Sequence, residues 1–383
     1  MDASQPAQLP LTTAPRLTVR RGLVWAGLIV LAGLVAAFPS MTIPPPSAWP
    51  LSRWLYWPVV VSVAVGLAAI IITRYVSERA AGWLLIVTVV LVAAASISFN
   101  AAAPAVVNQS DRNTALNVAI TELAHGRYPY FARTQLRNPI SPLPGALVLA
   151  APFVLGLGSS AYQNYFWLLV LAAVLANFKS ARWALLVLWC ALASPLVLQE
   201  FLFQSDFMAN SMYLLVAAIW FMRYPRRWWA GVFLGIALAS RINAIFYAPL
   251  LLAYVVRRDG WRSAAKAGVL PALTAAALIV PFYLYSPAEF GPLRALSKVA
   301  IPALPGASLV IALATVATVA ALCLWLRTEH QLWAALAAAQ AVPVLLTALA
   351  GFVAAQPMLD MVEHFSYGQS FVLLGLVAVF WEL

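Results

Sequence analysis

Four stretches of this chain, Leu23 to Phe38, Trp54 to Thr73, Gly82 to Phe99 and Gly306 to Leu326, contain no charged residue. Each approaches or reaches the ~20 residues an α-helix needs to cross the hydrocarbon core of a bilayer. In lipid such a run must satisfy its own backbone hydrogen bonds, which it does as a helix. One uncharged run alone would also suit a helix buried in a large soluble protein. Composition separates the two cases. Of 383 residues 64% are hydrophobic and 9% charged, against ~25% charged in a soluble domain, which leaves too little polar sequence to clothe a surface in water. The expected fold class is an all-α polytopic membrane protein without a soluble domain.

The net charge of +11 reads as topology and not as an affinity for nucleic acid. Most Lys and Arg fall in short clusters between apolar runs, at 16–21, 74–79, 179–182, 223–227, 257–266 and Arg327, where the positive-inside rule expects cytoplasmic segments. With the N-terminus inside, alternation gives spans near 22–38, 54–73, 82–99, 161–178, 183–198, 206–222, 228–240, 244–256, 264–285, 306–326, 332–354 and 367–382. That is about 12 crossings (11–13) with both termini cytoplasmic. The pieces 228–240 and 244–256 are short, as one tilted helix or a pair broken around Ser240-Arg241-Ile242-Asn243 would be. Residues 1–15 read as a disordered cytoplasmic tail and 16–383 as a single polytopic membrane domain. Cys190 and Cys323 lie in apolar runs and read as small hydrophobic residues.

The longest interruption of the apolar pattern is the loop 100–142, which the topology puts on the exterior face. Its first half reads as an amphipathic interfacial helix, with apolar residues at 115, 116, 119, 120 and 123, Ser110 as N-cap and Gly126 as stop. An aromatic turn, Gly126-Arg127-Tyr128-Pro129-Tyr130, follows. After it, three prolines in Asn138-Pro139-Ile140-Ser141-Pro142-Leu143-Pro144-Gly145 impose an extended path. The next run, Ala146 to Leu157, is too short to span.

These residues resemble the exterior loop of the C-type (GT-C) glycosyltransferases, in particular bacterial mannosyltransferase-like membrane enzymes that use polyprenyl-phosphate sugars. The resemblance is carried by Asp111, by Gly126-Arg127-Tyr128-Pro129-Tyr130 and by the proline-rich stretch leading into the next apolar segment. It departs from the family in having three spans before the loop and a lone Asp111 where some relatives have an acidic pair. The resemblance implies a GT-C-like fold in a bacterial inner membrane and a polyprenyl-phosphate-linked sugar as donor. It further implies a lipid, glycan or protein acceptor, and Asp111 as the catalytic base of an inverting displacement.

Such chemistry needs a base for the acceptor hydroxyl, a cation for the departing phosphate and an apolar path for the polyprenyl tail. Arg241 is the foremost cation, because an arginine within an otherwise uncharged apolar run is costly and marks a functional hypothesis. Glu122, about three turns beyond Asp111, can share a helix face with it. Arg127 and Arg137 are candidate grips for phosphate or a polar acceptor, and Tyr128 and Tyr130 candidate contacts for substrate or headgroups. Gln204 and Asp206 form a polar inter-span cluster resembling one in these transferases. His364 stands in a polar stretch near the C-terminus where it could hydrogen-bond a sugar. Some enzymes of this kind use a divalent cation. No carboxylate cluster in the sequence specifies one, so the cofactor stays open and no residue is assigned to a metal. Membrane lipids are expected partners and nucleic acid is not. The competing readings are a transporter or flippase of a lipid-linked sugar and a noncatalytic membrane subunit.

Overall fold

The computed structural model describes residues 19–37, 53–103, 111–225, 227–294, 304, 306–354 and 369–381. The tail 1–15, His364 and Ser110 lie outside them. The helices in chain order are α1 (Val19–Ala37), α2 (Arg53–Tyr75), α3 (Glu78–Ala102), α4 (Arg112–Ala124), α5 (Pro144–Leu157), α6 (Tyr162–Phe178), α7 (Ala181–Leu192) and α8 (Pro195–Leu202). After them come α9 (Asp206–Arg223), α10 (Trp228–Leu238), α11 (Tyr247–Asp259), α12 (Trp261–Tyr285), α13 (Ala307–Trp325), α14 (Glu329–Val353) and α15 (Gln369–Val379). Among the described residues the β-structure is a single isolated bridge between Arg133 and Pro139.

Polarity runs inside out, as it does when the solvent is lipid. On α12 only Ala264 and Pro271 are buried. Large apolar side chains such as Val90, Leu91, Leu313 and Val316 face outward on α3 and α13. Such broad apolar exposure is incompatible with water. The protein is an all-α membrane protein. At its centre lies α9, buried on every side from Asp206 to Ile219 and packed against α6, α10 and α15. Polar groups on this helix have no water to turn to, so protein partners must satisfy them.

Five helices are long and apolar enough to cross a membrane: Tyr56–Tyr75 of α2, and α3, α12, α13 and α14. Two more crossings are reached if bent pairs are counted as single spans, α5 with α6 (119°) and α7 with α8 (84°). Five to seven crossings among the described residues are fewer than the hydropathy and charge pattern suggests. The difference falls at 22–38, 206–222, 228–240, 244–256 and 367–382, whose described helices are too short or too polar to count as crossings. Gly158 in the left-handed region (φ 81°) ends α5, and Ser194-Pro195 turns α7 into α8. Ala26–Ala37 of α1, α10, and Ser370–Val379 of α15 are apolar but short.

One of the breaks shapes the site. After α10 the chain passes through Arg241 in extended conformation (φ −147°, ψ 147°) and a 3-10 turn, Ile242–Phe246, before α11 begins. Breaking a helix in a membrane strands its last carbonyls. Here the Gly145 amide donates to the Ala239 carbonyl at 2.7 Å and the Leu143 amide to the Ser240 carbonyl at 3.0 Å. The start of α5 thus satisfies the end of α10. Position 145 must be glycine for this approach, because a Cβ there would collide with the Ile236 and Ala239 carbonyl oxygens.

Candidate functional site

Two polar centres lie at one end of the bundle, joined by the loop between α4 and α5. The first is Asp111, the residue preceding α4. Its Oδ2 accepts from the Thr134 hydroxyl at 2.7 Å and from Asn138 Nδ2 at 2.8 Å. The Thr134 amide in turn donates to the Asn138 carbonyl at 3.0 Å, and the Arg137 amide to the Thr134 carbonyl at 2.8 Å. This closes a tight turn with Arg137 in the left-handed region (φ 61°) and the Arg137 side chain exposed at its tip. Among the described residues nothing donates to Asp111 Oδ1.

The second centre is buried. Arg241 and Asp206 form an ion pair between Nη2 and Oδ2, with the two residues 8% and 4% exposed. Arg241 Nη1 donates to the Ser141 hydroxyl at 3.3 Å, and the Phe207 ring lies under the guanidinium at 4.4 Å. The Nε–H, also buried, has no hydrogen-bond partner among the described residues. One turn along α9 from Asp206, Asn210 Nδ2 donates to the Ser240 hydroxyl at 2.7 Å and to Tyr213 Oη at 2.8 Å. The i, i+4 pair Asp206 and Asn210 therefore grips the broken segment at two successive residues, which holds Arg241 in a fixed place.

Asn138 touches Asp111 and Ser141 touches Arg241, and two residues lie between them, so their Cα atoms are at most about 11 Å apart. Beside Arg241 opens an apolar cavity of about 380 Å³ between α10, α11 and α12, lined by Leu234, Leu238, Ile245, Leu252, Pro271 and Ala275 among others. Of the described residues lining it, Arg241 alone is charged.

Other residues singled out from the sequence do different work. Glu122 is not brought to Asp111. It stands at the far end of α4 in a two-pronged ion pair with Arg127, at 2.5 and 2.8 Å. The hydrogen bond from Arg127 holds the Glu122 carboxyl below its usual range. Tyr128 and Tyr130 are packed within the protein. The Tyr128 hydroxyl donates to the Phe282 carbonyl at 2.7 Å and Tyr130 to the Pro142 carbonyl at 2.9 Å. Burial pushes the Tyr128 phenol up to about 12, so it stays a donor. Their rings join Phe282, Tyr285 and Phe290 in one aromatic cluster that fastens the loop to the end of α12. The α4 helix follows suit. Its stripe of Ala115, Leu116, Ala119 and Ile120 is buried on protein, chiefly α5, and is not left for lipid.

Gln204, with φ 54°, reaches Tyr165 Oη at 3.3 Å. It belongs to the turn that Ser96 and Asn100 of α3 clamp through the Phe201 and Leu202 carbonyls.

Thr134 carries no signal that would have marked it as a partner of Asp111. Asn138 and Ser141 stood in the proline-rich motif without a role. Gln340, deep in α14, pairs through both ends of its amide with the Asn243 side chain and carbonyl at 3.0 and 3.1 Å. It is a lone amide in an apolar run, visible to the same reasoning that marks Arg241. Among the described residues no group of three His, Cys, Asp or Glu comes together to hold a metal ion. The chain matches no protein-family model, no curated protein and no solved structure.

Proposed function

We propose that the chain is a GT-C-like membrane glycosyltransferase with about twelve crossings and cytoplasmic termini, set in a bacterial inner membrane. In this reading it moves a sugar from a polyprenyl-phosphate donor to a lipid, glycan or protein acceptor at the exterior face. The observation that carries the reading is the apolar cavity ending at Arg241. An uncharged trough with one buried cation at its head matches an anionic phosphate on a hydrocarbon tail, and it matches neither a nucleotide nor a free sugar.

The reaction follows from the two centres. The acceptor oxygen forms a bond to the sugar C1 as its proton passes to Asp111. The bond from C1 to the phosphate oxygen breaks, and the electron pair leaves with the phosphate, held at Arg241. Attack opposite the departing phosphate inverts the configuration. Thr134 and Asn138 hold Oδ2 of Asp111, so Oδ1 is the oxygen to meet the acceptor. Arg137, exposed at the tip of the turn, is available to a polar acceptor.

Radiolabelled polyprenyl-phosphate mannose, glucose and arabinose, supplied to membranes with matched protein levels, test this. The wild type is expected to transfer from at least one donor, and Asp111→Asn to lose about 100-fold or more. Full activity in the variant would remove Asp111 as base. The helix break at Arg241 also suits a flippase, since transporters place binding sites at discontinuous helices. Movement of labelled donor across reconstituted vesicles without any transfer would favour that second reading.

A further inference from the structure

We infer that Asp206 selects the charge state of the phosphate the cavity accepts, admitting a monoanionic phosphodiester and disfavouring a dianionic monoester. The inference rests on the reading of Arg241 as the phosphate-holding group.

Arginine has five N–H donors. Here Asp206 engages Nη2 and Ser141 engages Nη1, while Nε–H is buried without a partner among the described residues. The Nε–H is enclosed by protein, so a phosphate oxygen that reaches it displaces packing atoms and not Asp206. Asp206 is itself buried and anchored at the first residue of the most enclosed helix, so it cannot swing away. The carboxylate thus stays within a few ångström of any phosphate that Arg241 holds.

Counting charges at this centre gives zero for the empty site, −1 with a phosphodiester and −2 with a phosphomonoester. The neutral pair repays little of the cost of taking phosphate charge out of water, so in this buried site the second charge of a monoester is expected to weaken binding by about tenfold or more. The donor, a sugar joined through phosphate to a lipid, is a diester with one negative charge. Its product, the lipid phosphate left after the sugar departs with its C1–O bond broken, is a monoester that gains a second charge. Asp206 therefore favours the substrate over the product, and transfer itself creates the repulsion that clears the site. Without a carboxylate there, Arg241 would hold the dianion more tightly than the monoanion and the product would block the groove.

The test uses two ligands with one tail, dodecyl methyl phosphate as diester and dodecyl phosphate as monoester. They are titrated calorimetrically into the purified full-length protein in detergent, at about pH 8 and above the second ionisation near ~6. The wild type is expected to bind the diester about tenfold or more tightly than the monoester. Asp206→Glu should keep that preference. Asp206→Asn, or Asp206→Ser where asparagine does not fold, should bind the monoester at least as well as the diester. Equal binding of both ligands to the wild type, or a preference that survives neutralisation of Asp206, overturns the inference and leaves the donor site standing. Failure of the wild type to bind either ligand overturns both.

Discussion

Arg241 and Asp206 each carry a full charge inside a membrane protein, and each is tolerable only because of the other. Replacing one strands its partner. Arg241→Leu is expected to destabilise by about 3–5 kcal/mol, whereas the double change Asp206→Leu with Arg241→Met should recover most of that stability and none of the transfer. Unfolding in mixed micelles, followed by tryptophan fluorescence beside the transfer assay, separates the two effects. A double variant as unstable as the single one would show that the pair is not an independent unit. At Asp111 the reasoning concerns orientation. Thr134→Val with Asn138→Ala removes both hydrogen bonds to Oδ2 and should lower transfer about tenfold or more, compared at matched amounts of folded protein because Thr134 is buried. Unchanged transfer would mean that those bonds do not aim the carboxylate. Arg241 stood out as a charge within an apolar run, Asp111 through the loop motif that carries the resemblance, and Asp206 through a polar cluster between spans. Their partners did not, because Thr134, Asn138 and Ser141 are ordinary polar residues of an ordinary loop until folding brings them within hydrogen-bond distance.

The element that matters most is the broken helix from α10 through the 3-10 turn to α11. Its freed carbonyls are met by the first amides of α5, and its turn is held by the two hydrogen bonds between Asn243 and Gln340. Gly145→Val forces the two helix ends apart, since a Cβ there meets backbone atoms that cannot yield. The variant should reach the membrane but elute as aggregate or degrade in size-exclusion chromatography, while Gly27→Ala, with open space around it, should not. Gln340→Leu leaves the Asn243 amide and carbonyl unpartnered and should cost about 1–3 kcal/mol in the same unfolding measurement. The break was legible as an irregularity at Ser240-Arg241-Ile242-Asn243, within a stretch too long for one short helix and too short for two comfortable spans. What satisfies it was not legible, because amides at Leu143 and Gly145 have no sequence relation to carbonyls almost a hundred residues away.

At the scale of the molecule the two ends differ in kind. One carries the Asp111 turn and the aromatic cluster. The other carries Glu78 with Arg182, Lys179 against the Trp381 ring at 4.2 Å and Arg258 on the Met222 carbonyl. The helix α12 links the two, starting at Trp261 and ending at Tyr285, whose ring meets Tyr128. Its 25 residues cover about 37 Å, enough to cross a bilayer. Single cysteines placed at Gly126 and at Arg262, with Cys190 and Cys323 changed to alanine, should therefore label from opposite sides of intact cells. Labelling of Gly126→Cys from outside is the expected result, and labelling of Arg262→Cys from outside would reverse the proposed orientation.

The sequence by itself determined the solvent. Long uncharged apolar runs cannot be clothed for water, so the chain is helical and lives in a membrane, and its few charges within apolar sequence stand out as costly. Hydropathy and charge are local properties and can be read locally. Only the tertiary structure decided which charges meet. It paired Arg241 with Asp206, turned Glu122 away to Arg127, packed Tyr128 and Tyr130 as fasteners, and opened an apolar cavity beside Arg241. Those outcomes depend on how helices distant in sequence pack, on where prolines and glycines bend them, and on close approaches that a single Cβ would forbid.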